Sequence, residues 1–362
     1  MSTYSGFPKS QLETPALLVD LDALEHNLES MGRFFRNRQA RLRPHFKNHR
    51  VLELAARQIE AGAVGITCAN LWQAEKLVGF GIPNVLIANE IAGERSLGRY
   101  LALTREAPVM IALDNARVLH DLARLAGNDR SAVPVLVDID LGLRRCGVAP
   151  GEPAVALARQ IAECGLCLRG IMGYEGHLQP IEAGPEKRAL VAEALEQLAH
   201  SKKGIRAAGL PVDIVSCAGT GTYTLAVEHP AVTEIQAGSY LLMDTWYQPF
   251  APEFQLSLSV LATVVSKTAG QRIVADAGVK ALSGQRGLPA VKNLEGLRLR
   301  ALHAEHSPID ILDPRVSVEV GDKIEIAVHY HDGTMQLHRR MYGIRNGMVE
   351  KAFEIEHRED DR

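Results

Sequence analysis

From Thr14 onward the chain alternates short apolar runs with longer stretches whose apolar residues recur three or four apart. "ALLVDL" (16–21) reads as a strand, and the stretch after it spaces Leu24, Leu28, Met31 and Phe35 along one helical face. Strand-like runs recur at 42–46, 62–67, 84–89, 109–114, 133–140, 168–174 and 212–218, with helix-like segments between most of them. Eight such repeats over roughly 230 residues predict a (β/α)8 TIM barrel, usually about 250 residues long, in preference to an open doubly wound sheet. The texture changes near Asp244. Beyond it, runs such as "QLSLSVLATVVS" and "KIEIAVHYHDGTMQLHRRMYGIRNGMVEKAF" alternate in character, with turn signals at Asp332-Gly333 and Asn346-Gly347. The predicted class is α/β: a barrel over 14–244, and a mostly antiparallel β domain formed by 245–362 together with 1–13.

Composition narrows the function more than the fold. The 362 residues are 46% hydrophobic and 23% charged, as in an ordinary globular protein. A net charge of -3 supplies no basic field for nucleic acid. No apolar run approaches the ~20 residues of a membrane span, and the first residues lack the apolar core of a secretory signal. Five cysteines, an odd and small count, point to a reducing cytoplasm without disulfides. Cys164 and Cys167 form a C-x-x-C ahead of a predicted strand, with no second pair, so a structural role is expected.

The ends of the predicted barrel strands carry the chemistry, which is where barrel sites lie. Strand two ends in His45-Phe46-Lys47, inside the basic stretch "RLRPHFKNHR". Other ends carry Asn89-Glu90, Asp138, Asp140 and Tyr174-Glu175-Gly176-His177, and the last runs into "SCAGTGTYT". Glycines at 219 and 221 let backbone approach an anion, and Thr220 and Thr222 add hydroxyl donors. A lysine at one strand end and a phosphate turn at another together describe a site for pyridoxal 5'-phosphate (PLP). "EIQAGSY" (234–240) supplies a second glycine turn nearby.

"TPALLVDLDALEHNL", "RPHFKNHR", "GAVGITCANLWQAE", "DIDLGLRRCGV", "GYEGHLQP", "VSCAGTGTY", "EIQAGSYLLMD" and "ADAGVKALS" occur in that order. They resemble the fold-type III PLP enzymes of the D-threonine aldolase and D-serine dehydratase group, across about Thr14 to Glu350. The resemblance implies an alanine-racemase-like barrel, a C-terminal β domain and a homodimer acting on a small amino acid. It implies that Lys47 forms the Schiff base, with His45 near the cofactor, Gln73 facing the ring, Arg145 beneath it and Tyr174 in contact. It places the phosphate on Gly219, Thr220, Gly221 and Thr222, and on the turn Gly238, Ser239 and Tyr240. Lys280, in "DAGVKALS", is the next lysine candidate, expected to pack at the domain junction.

One block departs from the family. Its metal-binding pattern, H-x-D or H-x-C followed by x-T, corresponds to "VHYHDGTMQLH" (328–338). Aligned without gaps through Thr334, Asp332 keeps the carboxylate place, but Tyr330 stands where the family has histidine. On a strand, His329 and His331 would face away from Asp332 unless the turn at Gly333 changes the register. "AEHSPI" (304–309) keeps Glu305 and His306 of a second block. The implied reading is Mn²⁺ or Mg²⁺ at Asp332 with His331. Without a metal, Tyr330, His331 or His306 could do the acid–base work directly. The implied reaction is retro-aldol cleavage of a D-configured β-hydroxy amino acid to glycine and an aldehyde. Dehydration to a keto acid and ammonia ranks next, weakened by the displaced histidine, and racemisation third.

Overall fold

The computed structural model describes residues 6–268 and 271–358. The chain divides into two compact units. One holds 31–47 and 52–238; the other holds the described residues up to Ser30, Asn48–Val51, and those from Ser239 on. In chain order the strands are β1 (Ala16–Asp20), β2 (Arg41–Leu42), β3 (Ile66–Cys68), β4 (Val85–Ile87), β5 (Val109–Leu113), β6 (Pro134–Ile139), β7 (Cys167–Gly173), β8 (Ile214–Cys217) and β9 (Glu234–Ile235). They continue as β10 (Leu258–Thr268), β11 (Arg272–Ala275), β12 (Leu297–Leu299), β13 (Ser307–Ile311), β14 (Lys323–Ala327), β15 (Arg340–Arg345) and β16 (Met348–Glu354).

The first unit is the barrel. Its eight strands run in parallel, in the order β2-β9-β8-β7-β6-β5-β4-β3. His45 bridges Thr67 in parallel, and Val64 N donates to Leu42 O at 2.9 Å, so the two ends of the sheet meet. "VLI" and "VMIAL" are apolar on both faces because both faces are covered. Leu86, Met110, Ala112, Leu136, Met172 and Ile214 pack together as one cluster. The intervening helices are amphipathic: Ala116–Ala126 buries Leu119, Leu122, Ala123 and Ala126, and Asn115 caps it by accepting from Arg117 N. Arg43, 1% exposed, makes a bidentate pair with Glu234 at 2.7 and 2.8 Å, tying β2 to β9. A side chain at Gly65 would meet Asn84 O and Arg43 Nη1.

The second unit is a sheet ordered β12-β13-β11-β10-β1-β15-β16, with β14 also paired to β10. Its pairs are antiparallel except β1 with β15. Asn346 (φ +50°) and Gly347 (φ +75°) form a two-residue turn between β15 and β16, as the Asn-Gly dipeptide predicts.

Two expectations are corrected. The run at 16–21 is not a barrel strand: β1 sits between β10 and β15. An apolar pentapeptide followed by a helix reads the same in either setting. The eighth barrel strand is instead β9, two residues long, inside the segment read as a turn. The Asp332-Gly333 dipeptide is not a hairpin turn either. It lies in a short helix, His331–Met335, with Gly333 buried against Ser283.

Candidate active site

In the barrel unit, three neighbouring strands deliver the predicted cofactor residues. β2 leads to Lys47, β9 pairs with β2 and leads to Gly238, and β8 pairs with β9 and leads to Gly219–Thr222. An amine and two glycine turns that let backbone come close, delivered by adjacent strands, fit PLP. Lys47 is half-buried, and its backbone N–H donates to His45 Nδ1 at 3.3 Å. His49 Nδ1 likewise accepts from Val51 N at 3.1 Å. Both histidines of "HFKNH" thus hold local backbone.

The glycine loop is shaped from beneath. Gly221 N donates to Gln179 Oε1 at 2.8 Å, Gly219 N to Thr222 Oγ1 at 3.2 Å, and Ala218 N to Glu175 Oε2 at 3.3 Å. The Thr222 hydroxyl donates to Glu175 Oε1 at 2.5 Å. These three amides are therefore bound to side chains, and the simple nest of N–H groups expected from "AGTGT" is corrected to a turn moulded on Glu175 and Gln179. A Cβ at Gly219 or Gly221 would lie 2.8 Å from Gln179 atoms, so only glycine permits this approach. Glu175 is fully buried, and burial pushes its carboxyl above the ordinary value.

Arg145 and Tyr174 come together, the guanidinium 5.7 Å from the ring centroid, but Arg145 itself is exposed. Close by lies a carboxyl cluster whose strand-end members were noted without a role. Asp138 is 6% exposed, and burial, a hydrogen bond with Glu90, and the charges of Glu90 and Asp114 push it up to about 8, against the pull of Arg145. Cys146 is raised to about 11, by burial first and Glu90 next. Gln73 Oε1 accepts from Ala69 N at 2.9 Å while the Gln73 backbone N–H donates to Asn70 Oδ1 at 3.2 Å. It closes a reciprocal helix cap.

The sheet unit holds a second cluster. Helix His331–Met335 sets His331 and Asp332 side by side in its first turn, with His331 Nε2 3.3 Å from Asp332 Oδ1. The ring's other nitrogen, Nδ1, is 2.5 Å from Asp244 Oδ2, which also accepts from His331 N at 2.9 Å. A carboxylate only accepts, so Nδ1 carries the proton and the Nε2 lone pair faces Asp332. Asn48 Nδ2 donates into that convergence, 2.9 Å from Nε2 and 2.7 Å from Oδ1. An imidazole oriented by a carboxylate, its second nitrogen beside an anionic oxygen, has the ligand chemistry of a divalent-cation site. Among the predicted residues of this unit, Ser239 is buried and accepts from Asn48 at 3.3 Å, and Tyr240 is buried with its ring 5.5 Å from Phe254. Tyr330 leaves the pair: its ring lies 6.4 Å from Trp246, and Arg286 stacks at 4.5 Å over Trp246 and 5.4 Å over Tyr330. Burial first, and Asp332 next, raise the Tyr330 phenol above its ordinary value. His306 is exposed on the turn before β13, and Lys280 is exposed and paired with Glu305 rather than packed in a junction. Asp244 and Asn48 carried no role in the sequence reading. Their signal was position alone, Asn48 directly after Lys47 and Asp244 at the change of texture.

Residues 19–245 match the family described as "Alanine racemase, N-terminal domain", and residues 257–344 match "Putative serine dehydratase domain". The chain is 32% identical to D-threonine aldolase from Arthrobacter sp, over 97% of this chain and 94% of that one. The chain belongs to the D-threonine aldolase and D-serine dehydratase family. It is accordingly a PLP-dependent lyase of alanine-racemase-like fold. It is also 30% identical to 3-hydroxy-D-aspartate aldolase from Paracoccus denitrificans (strain Pd 1222), over 97% and 93% of the two chains. The crystal structure of D-threonine aldolase from Filomicrobium marinum superposes with a TM-score of 0.93 at 33% identity, covering 98% of both chains. None of the described helices is long and apolar enough to cross a membrane.

Proposed function

We propose that this enzyme cleaves D-configured β-hydroxy amino acids to glycine and an aldehyde, with Lys47 holding PLP and the His331–Asp332 pair serving the β-hydroxyl. The observation that carries the reading is the Asp244–His331–Asp332 arrangement in a chain aligned end to end with D-threonine aldolase. PLP, when bound, supplies a sink for the electron pair left on Cα. The Gly219–Thr222 turn of the barrel unit would bring close backbone to its phosphate, Arg145 and Tyr174 would flank it, and the chain runs on through Gly238, Ser239 and Tyr240.

His331 Nε2 and Asp332 Oδ1 would hold Mn²⁺ or Mg²⁺, which would supply a positive charge favouring loss of the β-hydroxyl proton. With its Nδ1 proton fixed on Asp244, His331 has one basic lone pair, on Nε2, which would either ligate the cation or, without a metal, accept the β-hydroxyl proton itself. As that proton leaves, the oxygen's electrons form the aldehyde C=O, the Cα–Cβ bond breaks, and protonation at Cα yields glycine. Tyr330, its phenol kept protonated, can donate to the departing aldehyde oxygen.

Dehydration rests on the same pair. Its sequence-based demotion assumed a displaced histidine, whereas His331 stands beside Asp332. A relative from Delftia sp. (strain HT23), D-threo-3-hydroxyaspartate dehydratase, is 31% identical over 76% of this chain. Incubation with D-threonine, with and without Mn²⁺, separates the two: glycine with acetaldehyde supports cleavage, and a keto acid with ammonia rejects it. The proposal includes a homodimer, tested by light scattering, and a cytoplasmic setting, which suits five free cysteines.

A further inference from the structure

Arg50 lies two residues beyond Asn48, the donor to both His331 and Asp332, and belongs to the same unit. Its Nη2 is covered and has no hydrogen-bond partner among the described residues. A guanidinium has five donors and keeps its charge, and a covered donor left unmatched costs about 1–3 kcal/mol. Folded proteins leave few such groups, and each needs a reason. The backbone adds an independent sign. Arg50 holds φ +52°, a left-handed conformation that costs a residue with a side chain on the order of 1–3 kcal/mol and that concentrates at ligand clamps. Glu356 N pins it by donating to Arg50 O at 2.7 Å.

Burial lowers the Arg50 pKa from its ordinary value, and the charge of Asp332 works the other way. Asp332 already accepts from Asn48 and, in the proposed reading, faces a cation. The unmatched Nη2 of Arg50 is thus the donor that meets an incoming anion. The residue as a whole is only half-covered, and its long side chain can turn the guanidinium toward one.

We infer that Arg50 docks a carboxylate of the substrate beside the His331–Asp332 pair. The planar fork of a guanidinium matches a carboxylate with two parallel hydrogen bonds. Two carboxylates qualify: the α-carboxylate of any amino acid, and the side-chain carboxylate of a β-hydroxy diacid such as 3-hydroxyaspartate. The inference rests on the reading of that pair as the place of the β-hydroxyl.

The test titrates PLP-loaded enzyme with D-alanine and D-aspartate, which lack a β-hydroxyl, and reads binding from the cofactor's absorbance. Arg50→Met should weaken binding tenfold or more, whereas Arg50→Lys should retain part of it. Equal weakening of both ligands assigns Arg50 to the α-carboxylate, and weakening of D-aspartate alone assigns it to a side-chain acid. Dissociation constants within threefold of the parent for both ligands would overturn the inference. If Arg50→Met does not fold, Arg50→Gln is read by the same criterion. Failure of the aldol reading looks different: the parent enzyme then yields no glycine from D-threonine or D-3-hydroxyaspartate, whatever the binding constants.

Discussion

Asp244 never touches the proposed ion, yet it decides which nitrogen of His331 is available. Partners of this kind change metal affinity 10–100-fold when altered. Asp244→Asn should therefore weaken Mn²⁺ binding by about that factor in calorimetry, while the cofactor's absorbance stays the same. Asp138 gives a prediction in pH. Its folded value, about 8, lies above the ordinary 3.8, so the folded state binds the extra proton between these values. The stability this group contributes is full below about pH 4 and is lost as pH rises toward about 8. Melting temperatures of Asp138→Asn should fall less across that range than those of the parent; identical slopes would remove Asp138 from the account. At this scale the sequence was legible where residue type reflects packing, as with the apolar runs that became β5 and β7. It was opaque where a side chain serves the backbone. His45, His49 and Gln73 accept main-chain N–H groups close in sequence, and the same residues would read identically as cofactor contacts.

At the level of elements, the short helix His331–Met335 brings histidine and aspartate together. Its first residues spell "HDG", and Asp-Gly favours a hairpin in isolation. The helix wins because Gly333 packs on Ser283 and the Thr334 hydroxyl accepts from Ser283 N at 3.1 Å, contacts far apart in sequence. Gly333→Ala should cost about 1–3 kcal/mol by overpacking, measured by denaturant titration, and should loosen Mn²⁺ binding along with it. The barrel teaches a similar lesson. Periodicity counted eight strands, but the run at 16–21 belongs to the sheet unit and the two-residue β9 closes the count. Nothing in so short a segment carries a period. What fixes β9 is Glu234, whose carboxylate pairs with buried Arg43 on β2. Removing one partner strands the other charge, so Glu234→Ala should destabilise by about 3–5 kcal/mol; a loss under 1 kcal/mol would show the pair is dispensable.

For the molecule as a whole, the two units reuse chain from both ends and from the middle. Asn48–Val51 belongs to the sheet unit although barrel sequence flanks it on either side. The peptide bond between Lys47 and Asn48 thus joins the proposed cofactor lysine to the residue that bonds His331 and Asp332. Four residues carry no change of texture by which a sequence could mark such a segment. Removing the cofactor should lower the melting temperature, because a ligand bound only by the folded state stabilises it by mass action. Every functional statement depends on where that cofactor is attached. Borohydride reduction of the loaded enzyme, followed by proteolysis and mass spectrometry, should place the phosphopyridoxyl mass on the peptide carrying Lys47. Finding it on Lys280 or any other lysine, with Lys47 unmodified, would contradict the account.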